Sequence, residues 1–207
     1  MNNELIVGII NIGYGNISPI INILKRSYIM PFLVQSPNDL KNCHRLIIPG
    51  VGTFDNFMHG LKSAKLDNAI IDYAHSNKPV LGICVGAQIM GKESEEGKHN
   101  GLNLINMKIK KFDRNLLNNL PVPHIGWNTL TIVKSHSLLE NLSKDHRFYF
   151  AHSYHFEVED DSYLLSNTSY GYDFCSIAGN QNIIAVQFHP EKSHDYGFKI
   201  LQNFCLL

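Results

Sequence analysis

The chain has 207 residues, 44% of them hydrophobic, enough to bury the core of one domain. Lysine plus arginine balance aspartate plus glutamate at a formal net charge of +0, which argues against nucleic acid or an anionic membrane surface as the main partner. Four cysteines (Cys43, Cys84, Cys175 and Cys205) lie far apart with no CxxC, so no disulfide framework is expected and a reducing, cytoplasmic setting is. The first apolar run, 5–10, has no basic stretch before it and is too short for a signal or transmembrane segment.

In chain order, short β-branched runs at 5–10, 32–35, 46–48 and 80–83 read as strands. Helical spacing separates them: one helix starts at Asn16 with Ile20, Ile21 and Leu24 on one face. A second spans 55–76, with Phe57, Leu61, Leu66, Ile70 and Tyr73 inward. Strand and helix in alternation predict a mostly parallel sheet flanked by helices. After Glu93 the pattern changes: 104–110, 129–133, 147–150, 163–167 and 173–178 read as strands joined by turns, giving antiparallel strands in the second half. The Asn-rich 112–120 reads as a loop, 183–188 as a buried strand and 198–207 as a closing helix. No linker or repeat interrupts 1–207, which is expected to form a single α/β domain.

Chemistry concentrates at Val80-Leu81-Gly82-Ile83-Cys84-Val85-Gly86-Ala87-Gln88. An apolar strand ends at a cysteine with a glycine two residues to either side, the thiol form of a strand–turn–helix nucleophile elbow. The following helix start favours the thiolate. A base is available in His189-Pro190-Glu191, where a carboxylate two positions from a histidine in extended chain shares its face and can accept its Nδ1–H. Pro190 cannot donate to a ladder, so strand pairing should stop there. An oxyanion formed by thiolate attack needs backbone donors. The loop Pro49-Gly50-Val51-Gly52-Thr53-Phe54 is one candidate source, through Val51 and Gly52, and the Val85 N–H is the other. Taken alone, the loop reads first as an ordinary βα turn, and His-x-Glu reads equally as a surface ion pair.

Together with Ser94-Glu95-Glu96-Gly97, Val122-Pro123-His124-Ile125-Gly126-Trp127-Asn128, Tyr149-Phe150-Ala151-His152-Ser153-Tyr154 and Gln187-Phe188-His189-Pro190-Glu191-Lys192-Ser193, these motifs run in one order over nearly the whole chain. In that order the chain resembles the class I glutamine amidotransferases. More narrowly, it is similar to the glutaminase subunits of imidazole glycerol phosphate synthases. The resemblance implies that Cys84 attacks the glutamine carboxamide, His189 shuttles the proton and Glu191 orients His189. It implies that Gln88, His152, Ser153 and Tyr154 hold L-glutamine. It also implies a HisF-like (β/α)8-barrel cyclase subunit as partner in a heterodimer, met through Asn16, Trp127, Asn128 and Lys192, with ammonia passed on for histidine biosynthesis.

Some residues depart from the family pattern. Asn11-Ile12-Gly13-Tyr14-Gly15-Asn16 lacks the usual acid, Val85-Gly86-Ala87-Gln88 replaces Leu-Gly-Met-Gln, and Lys192-Ser193-His194-Asp195 resembles a branch that supplies ammonia for an acetamidino sugar in surface-glycan synthesis. A cysteine hydrolase of another amide, or a silent binding partner, would not require both Gln88 and a complete Cys-His-Glu set. No cofactor is expected: Gly13-Tyr14-Gly15 has Ser18 where a dinucleotide fingerprint needs its third glycine. No metal is expected either: His152 and His155, three apart on one strand, should point to opposite faces.

Overall fold

The computed structural model describes residues 5–142 and 145–207. Strands β1 (Ile6–Ile10), β2 (Met30–Val34), β3 (Arg45–Gly50), β4 (Val80–Cys84) and β12 (Ile183–Val186) run parallel in the order β2-β1-β3-β4-β12. The sheet continues antiparallel through β11 (Tyr172–Gly179), β10 (Leu164–Tyr170) and the two-residue β7 (Thr131–Ile132). A hairpin-like pair, β5 (Met107–Lys111) and β9 (Tyr154–Val158), joins it where Phe156 faces Cys175. Strands β6 (His124–Thr129) and β8 (Arg147–His152) form a separate two-stranded sheet. This is the mixed, helix-flanked α/β architecture expected from the sequence. The inner parallel strands β1, β3, β4 and β12 are buried on both faces, so they read as mostly apolar runs, whereas the edge strand β2 exposes Met30 and Leu33.

Helix α1 (Ile17–Arg26) buries Ile20 and Leu24, with Ile21 partly covered. The expected helix over 55–76 is instead two: α2 (Phe54–Ser63) and α3 (Leu66–His75), separated at Lys65, whose φ is 57°. The spacing contains the reason. Leu61 and Leu66 are five residues apart, which on a straight helix turns Leu66 about 140° off the Leu61 face. A left-handed residue at the junction resets the phase, so Phe57 and Leu61 on one helix and Ile70 and Tyr73 on the next all reach the core. The closing helix α5 (His194–Phe204) starts four residues earlier than expected.

The expected strand over 129–133 is the end of β6 and the whole of β7, interrupted at Leu130, and most of β6 escaped the sequence reading. Its run His124-Ile125-Gly126-Trp127-Asn128-Thr129 carries its alternation the wrong way round for a half-buried strand: Ile125 and Trp127, on one face, are exposed, while the buried side chain opposite is His124. No helix among the described residues is long and apolar enough to cross a membrane.

Candidate functional site

Cys84 ends β4 at the carboxyl edge of the parallel strands, where open α/β sheets form their crevice. Its φ is 53° and ψ −114°, a strained conformation for a residue with a side chain. The short helix α4 (Val85–Gln88) follows at once. Two glycines permit this turn. A Cβ on Gly86 would run into the Ile48 carbonyl, and one on Gly82 into Met90 and the α4 backbone. The helix start therefore lies directly against β3, as the elbow motif required. Val85, as the first helical residue, has no intrahelical partner for its N–H.

His189 and Glu191 come to the same place, though not by the extended geometry expected of them. Strand β12 ends at Val186. His189 then makes an isolated bridge to Tyr149, its N–H donating to the Tyr149 carbonyl at 2.8 Å, and Pro190–Lys192 turns as a 3-10 helix. Pairing does stop before Pro190. The turn brings a Glu191 oxygen, Oε1, to 2.8 Å from His189 Nδ1, with both side chains almost fully buried. Cys84 lies close enough to His189 for its charge to act on the imidazole. Burial opposes an imidazolium, but the Cys84 charge and the bond and charge of Glu191 outweigh it and push His189 up to about 10. Burial instead raises the thiols of Cys43, to about 11, and Cys205, to about 12, and raises that of Cys175 as well. All four cysteines are free, and among the described residues Cys84 is the one with a histidine acting on it.

A cleft of about 230 Å³ opens over Cys84, walled by Gly52, Val85, Gln88, Glu96, Pro123, Ala151, His152, Ser153 and Tyr154. All four residues expected to hold substrate are in that wall. Gln88 is engaged: its Nε2 donates to the Tyr154 carbonyl at 3.1 Å and to Gln187 Oε1 at 3.2 Å, so it braces the wall as well as facing the cleft. Two further residues, one in the wall and one behind it, are not among the sequence candidates. Glu96 accepts the Phe54 N–H at 2.8 Å at the start of α2 and offers a carboxylate to the cleft. Gln187, fully buried, points its Nε2 at the Cys84 sulfur, 3.9 Å away. Both lie inside motifs named above, Glu96 in Ser94-Glu95-Glu96-Gly97 and Gln187 two residues before His189, and that proximity is the signal the sequence offers.

The expected oxyanion donors divide. Gly52, at φ +97°, lines the cleft with Val85. The Val51 N–H does not serve the cleft in this conformation: it donates to the Tyr14 carbonyl at 2.9 Å. The backbone of the 13–15 loop captures it, a tertiary contact that the Pro-Gly-Val-Gly spacing could not reveal.

The opposite-faces expectation for His152 and His155 is also corrected. The chain bends at Ser153 between β8 and β9, which resets the side-chain alternation. Both rings therefore pack on Phe112 and Phe174, with centroids 4.9–5.6 Å apart. His124 joins them, stacked on Tyr170 and Phe150. Burial lowers His124 to about 4, and burial with the neighbouring His124 holds His152 well below its usual value. A histidine depressed in the fold stabilises it fully above the unfolded value near 6.5 and progressively less as pH falls from there towards 4. For His124 alone this amounts to about 3 kcal/mol across the window. Urea melts at pH 7 and pH 4.5 should show that loss, and His124→Phe should flatten it by about one proton's worth; an unchanged slope would remove His124 from the account.

Of the expected partner-facing residues, Trp127 and Lys192 are exposed, and Asn16 and Asn128 half-buried. Trp127 stacks on His194 at 5.2 Å and meets Tyr149 edge-on, and Lys192 Nζ lies 5.5 Å above the Tyr149 ring. Three of the four thus gather around β6 and the Pro190–Lys192 turn, while Asn16 precedes α1.

The family model for glutamine amidotransferase class-I matches residues 22–207. The chain is similar to the imidazole glycerol phosphate synthase subunit HisH of Leptospira interrogans, 42% identical over 97% of this chain and 100% of that protein. The subunit of the same name from Sulfurimonas denitrificans is 40% identical over 96% of each. Among solved structures, one titled glutamine amidotransferase superposes with a TM-score of 0.76 over 97% of this chain and 99% of that one at 16% identity. PurLQS from Thermotoga maritima superposes at 0.75 over 97% of both at 17% identity. These two bear on the fold alone. With a family model over most of its length and two relatives of one name aligned end to end, the chain belongs to the class I glutamine amidotransferases, among the HisH subunits.

Proposed function

We propose that this chain, working as one domain, is the glutaminase subunit of an imidazole glycerol phosphate synthase. It hydrolyses L-glutamine and hands the ammonia to a HisF-like (β/α)8-barrel cyclase subunit in a heterodimer. The carrying observation is Cys84 at φ 53° under an open cleft, beside a histidine that a buried carboxylate grips at 2.8 Å.

Glutamine enters with its carboxamide over Cys84, and the Glu96 carboxylate and the 152–154 wall suit an α-ammonium and its neighbouring polar groups. The thiolate attacks the carboxamide carbon, and Gly52 and Val85 N–H groups face the resulting oxyanion. His189 Nε2 gives its proton to the leaving nitrogen, the C–N bond breaks and ammonia departs. His189 then takes a proton from water, hydroxide attacks the thioester, and the C–S bond breaks to release glutamate.

Glu191 works through His189. Glu191→Gln can still place an amide oxygen on Nδ1–H, so the tautomer survives while the charge that favours the imidazolium is lost. Glutaminase rates should therefore fall but stay measurable in Glu191→Gln and drop to near background in His189→Asn. Equal losses would leave no separate orienting role.

One observation favours a second acceptor. His194, within the segment that departs from the family pattern, stacks on Trp127 with an interplanar angle of 3°, on the face that would meet the partner. In that reading the chain is a HisH-like paralogue whose ammonia goes to an acetamidino sugar. Copurification with candidate barrel subunits, followed by identification of the aminated product, decides between the two.

A further inference from the structure

A run of hydrogen bonds, all donated in one direction, leads from the surface of the β6–β8 sheet to the Tyr154 carbonyl in the cleft wall. It begins at Asn128, whose amide orientation is set on two sides: Oδ1 accepts the Thr129 N–H at 2.8 Å, and Nδ2 donates to the Ser169 carbonyl at 2.9 Å. The same Nδ2 lies 3.4 Å from His124 Nε2. His124 Nδ1 lies 3.2 Å from His152 Nε2, across the β6–β8 pairing that sets these two residues opposite each other. His152 Nδ1 lies 2.7 Å from the Tyr154 carbonyl.

The protons on this chain have one consistent placement. A carbonyl only accepts, so His152 carries its proton on Nδ1 and, being neutral, accepts at Nε2. His124 Nδ1 must then be the donor, which leaves His124 Nε2 to accept from Asn128. Burial, which lowers both histidines, keeps them in the neutral state this arrangement needs. The Tyr154 carbonyl ends that run and is gripped from both sides, because Gln88 Nε2 donates to it as well and to Gln187 Oε1, while Gln187 Nε2 faces the Cys84 sulfur. Two buried imidazoles are costlier to desolvate than two phenyl rings, and aromatic packing alone does not require their nitrogens to be in line.

We propose that His124, which lies outside the cleft wall, is a positioning residue for glutamine. Its Nδ1–H fixes His152, and through it the Tyr154 carbonyl and Gln88, so the wall that receives the substrate is set by a single tautomer. The role rests on the glutaminase reading above. A rigid wall shows mainly in substrate affinity, because the nucleophile and its base are held separately by the elbow and by Glu191.

The test compares two replacements in the full chain, with melting curves to check the fold. His124→Phe keeps a ring between Phe150 and Tyr170, with centroids 4.8 and 4.0 Å away in the native protein, but leaves His152 Nε2 buried without a donor. KM for glutamine should rise about tenfold while kcat changes less than about threefold. In His124→Asn the side-chain amide nitrogen takes the place of Nδ1, and KM should return to within about threefold of the native value. Equal KM values in the Phe and Asn variants, raised or not, would overturn the proposal. Imidazole ¹⁵N spectra of the unsubstituted chain give a reading independent of variant folding and of turnover. Neutral Nδ1–H forms of both His124 and His152 between pH 6 and 8 support the chain, and an Nε2–H form of either refutes it. Absent turnover in the unsubstituted chain would count against the glutaminase reading and leave the tautomer result standing.

Discussion

Replacing Cys84 by serine or alanine should remove glutamine hydrolysis, a loss on the order of 10⁴-fold or more, with little effect on folding. Cys84 is nearly buried at the end of β4, and its strained backbone depends on Gly82 and Gly86 and not on its own sulfur. Serine fits the same turn but does not supply a thiolate for the His189 imidazolium to face. A glutamine-like electrophile should label Cys84 and spare Cys43, Cys175 and Cys205, which are buried and pushed towards the neutral thiol. Labelling at any of those three in place of Cys84, or residual turnover in the serine variant near the native rate, would refute the assignment.

Turnover by the isolated chain should be slow and should rise about 100- to 1000-fold when a barrel partner docks. The reason is the Val51 N–H, held by the Tyr14 carbonyl at 2.9 Å and turned from the cleft. One oxyanion donor is worth roughly 3–4 kcal/mol, which corresponds to that rate range. Gly50 and Gly52 flank Val51 and are free of the backbone limits a Cβ imposes; there is open space beside Gly52, while Gly50 packs against the α4 backbone, so turning the Gly50–Val51 peptide calls for a shift of the loop that a partner can supply. Tyr14 belongs to the 13–15 loop just before Asn16, one of the residues expected at the partner surface. A partner that draws this loop away would release the Val51 N–H to the oxyanion. Turnover measured for the chain alone and for its complex tests this directly. Equal rates would mean that Gly52 and Val85 suffice and that the Val51–Tyr14 bond has no gating role.

What the sequence by itself determined is local. Cys84 is legible because an elbow needs small residues two positions to either side, and Gly82 and Gly86 supply them wherever the chain folds. His189 and Glu191 are legible because two positions of separation bring a carboxylate to a ring nitrogen, even though a 3-10 turn and not a strand accomplishes it. The inner parallel strands announced themselves because burial on both faces leaves little room for polar residues. What tertiary structure alone decided is where distant groups point. Glu96 reaches the Phe54 N–H from 42 residues away, and the Tyr14 carbonyl meets the Val51 N–H only because β1 and β3 are neighbours. His124 and His152 face each other through the register of two strands 28 residues apart in sequence, and the bend at Ser153 brings His155 to the same aromatic cluster. The direction of an N–H or the tautomer of an imidazole is set by whichever acceptor the fold brings near, and no residue carries that information before the strands have paired.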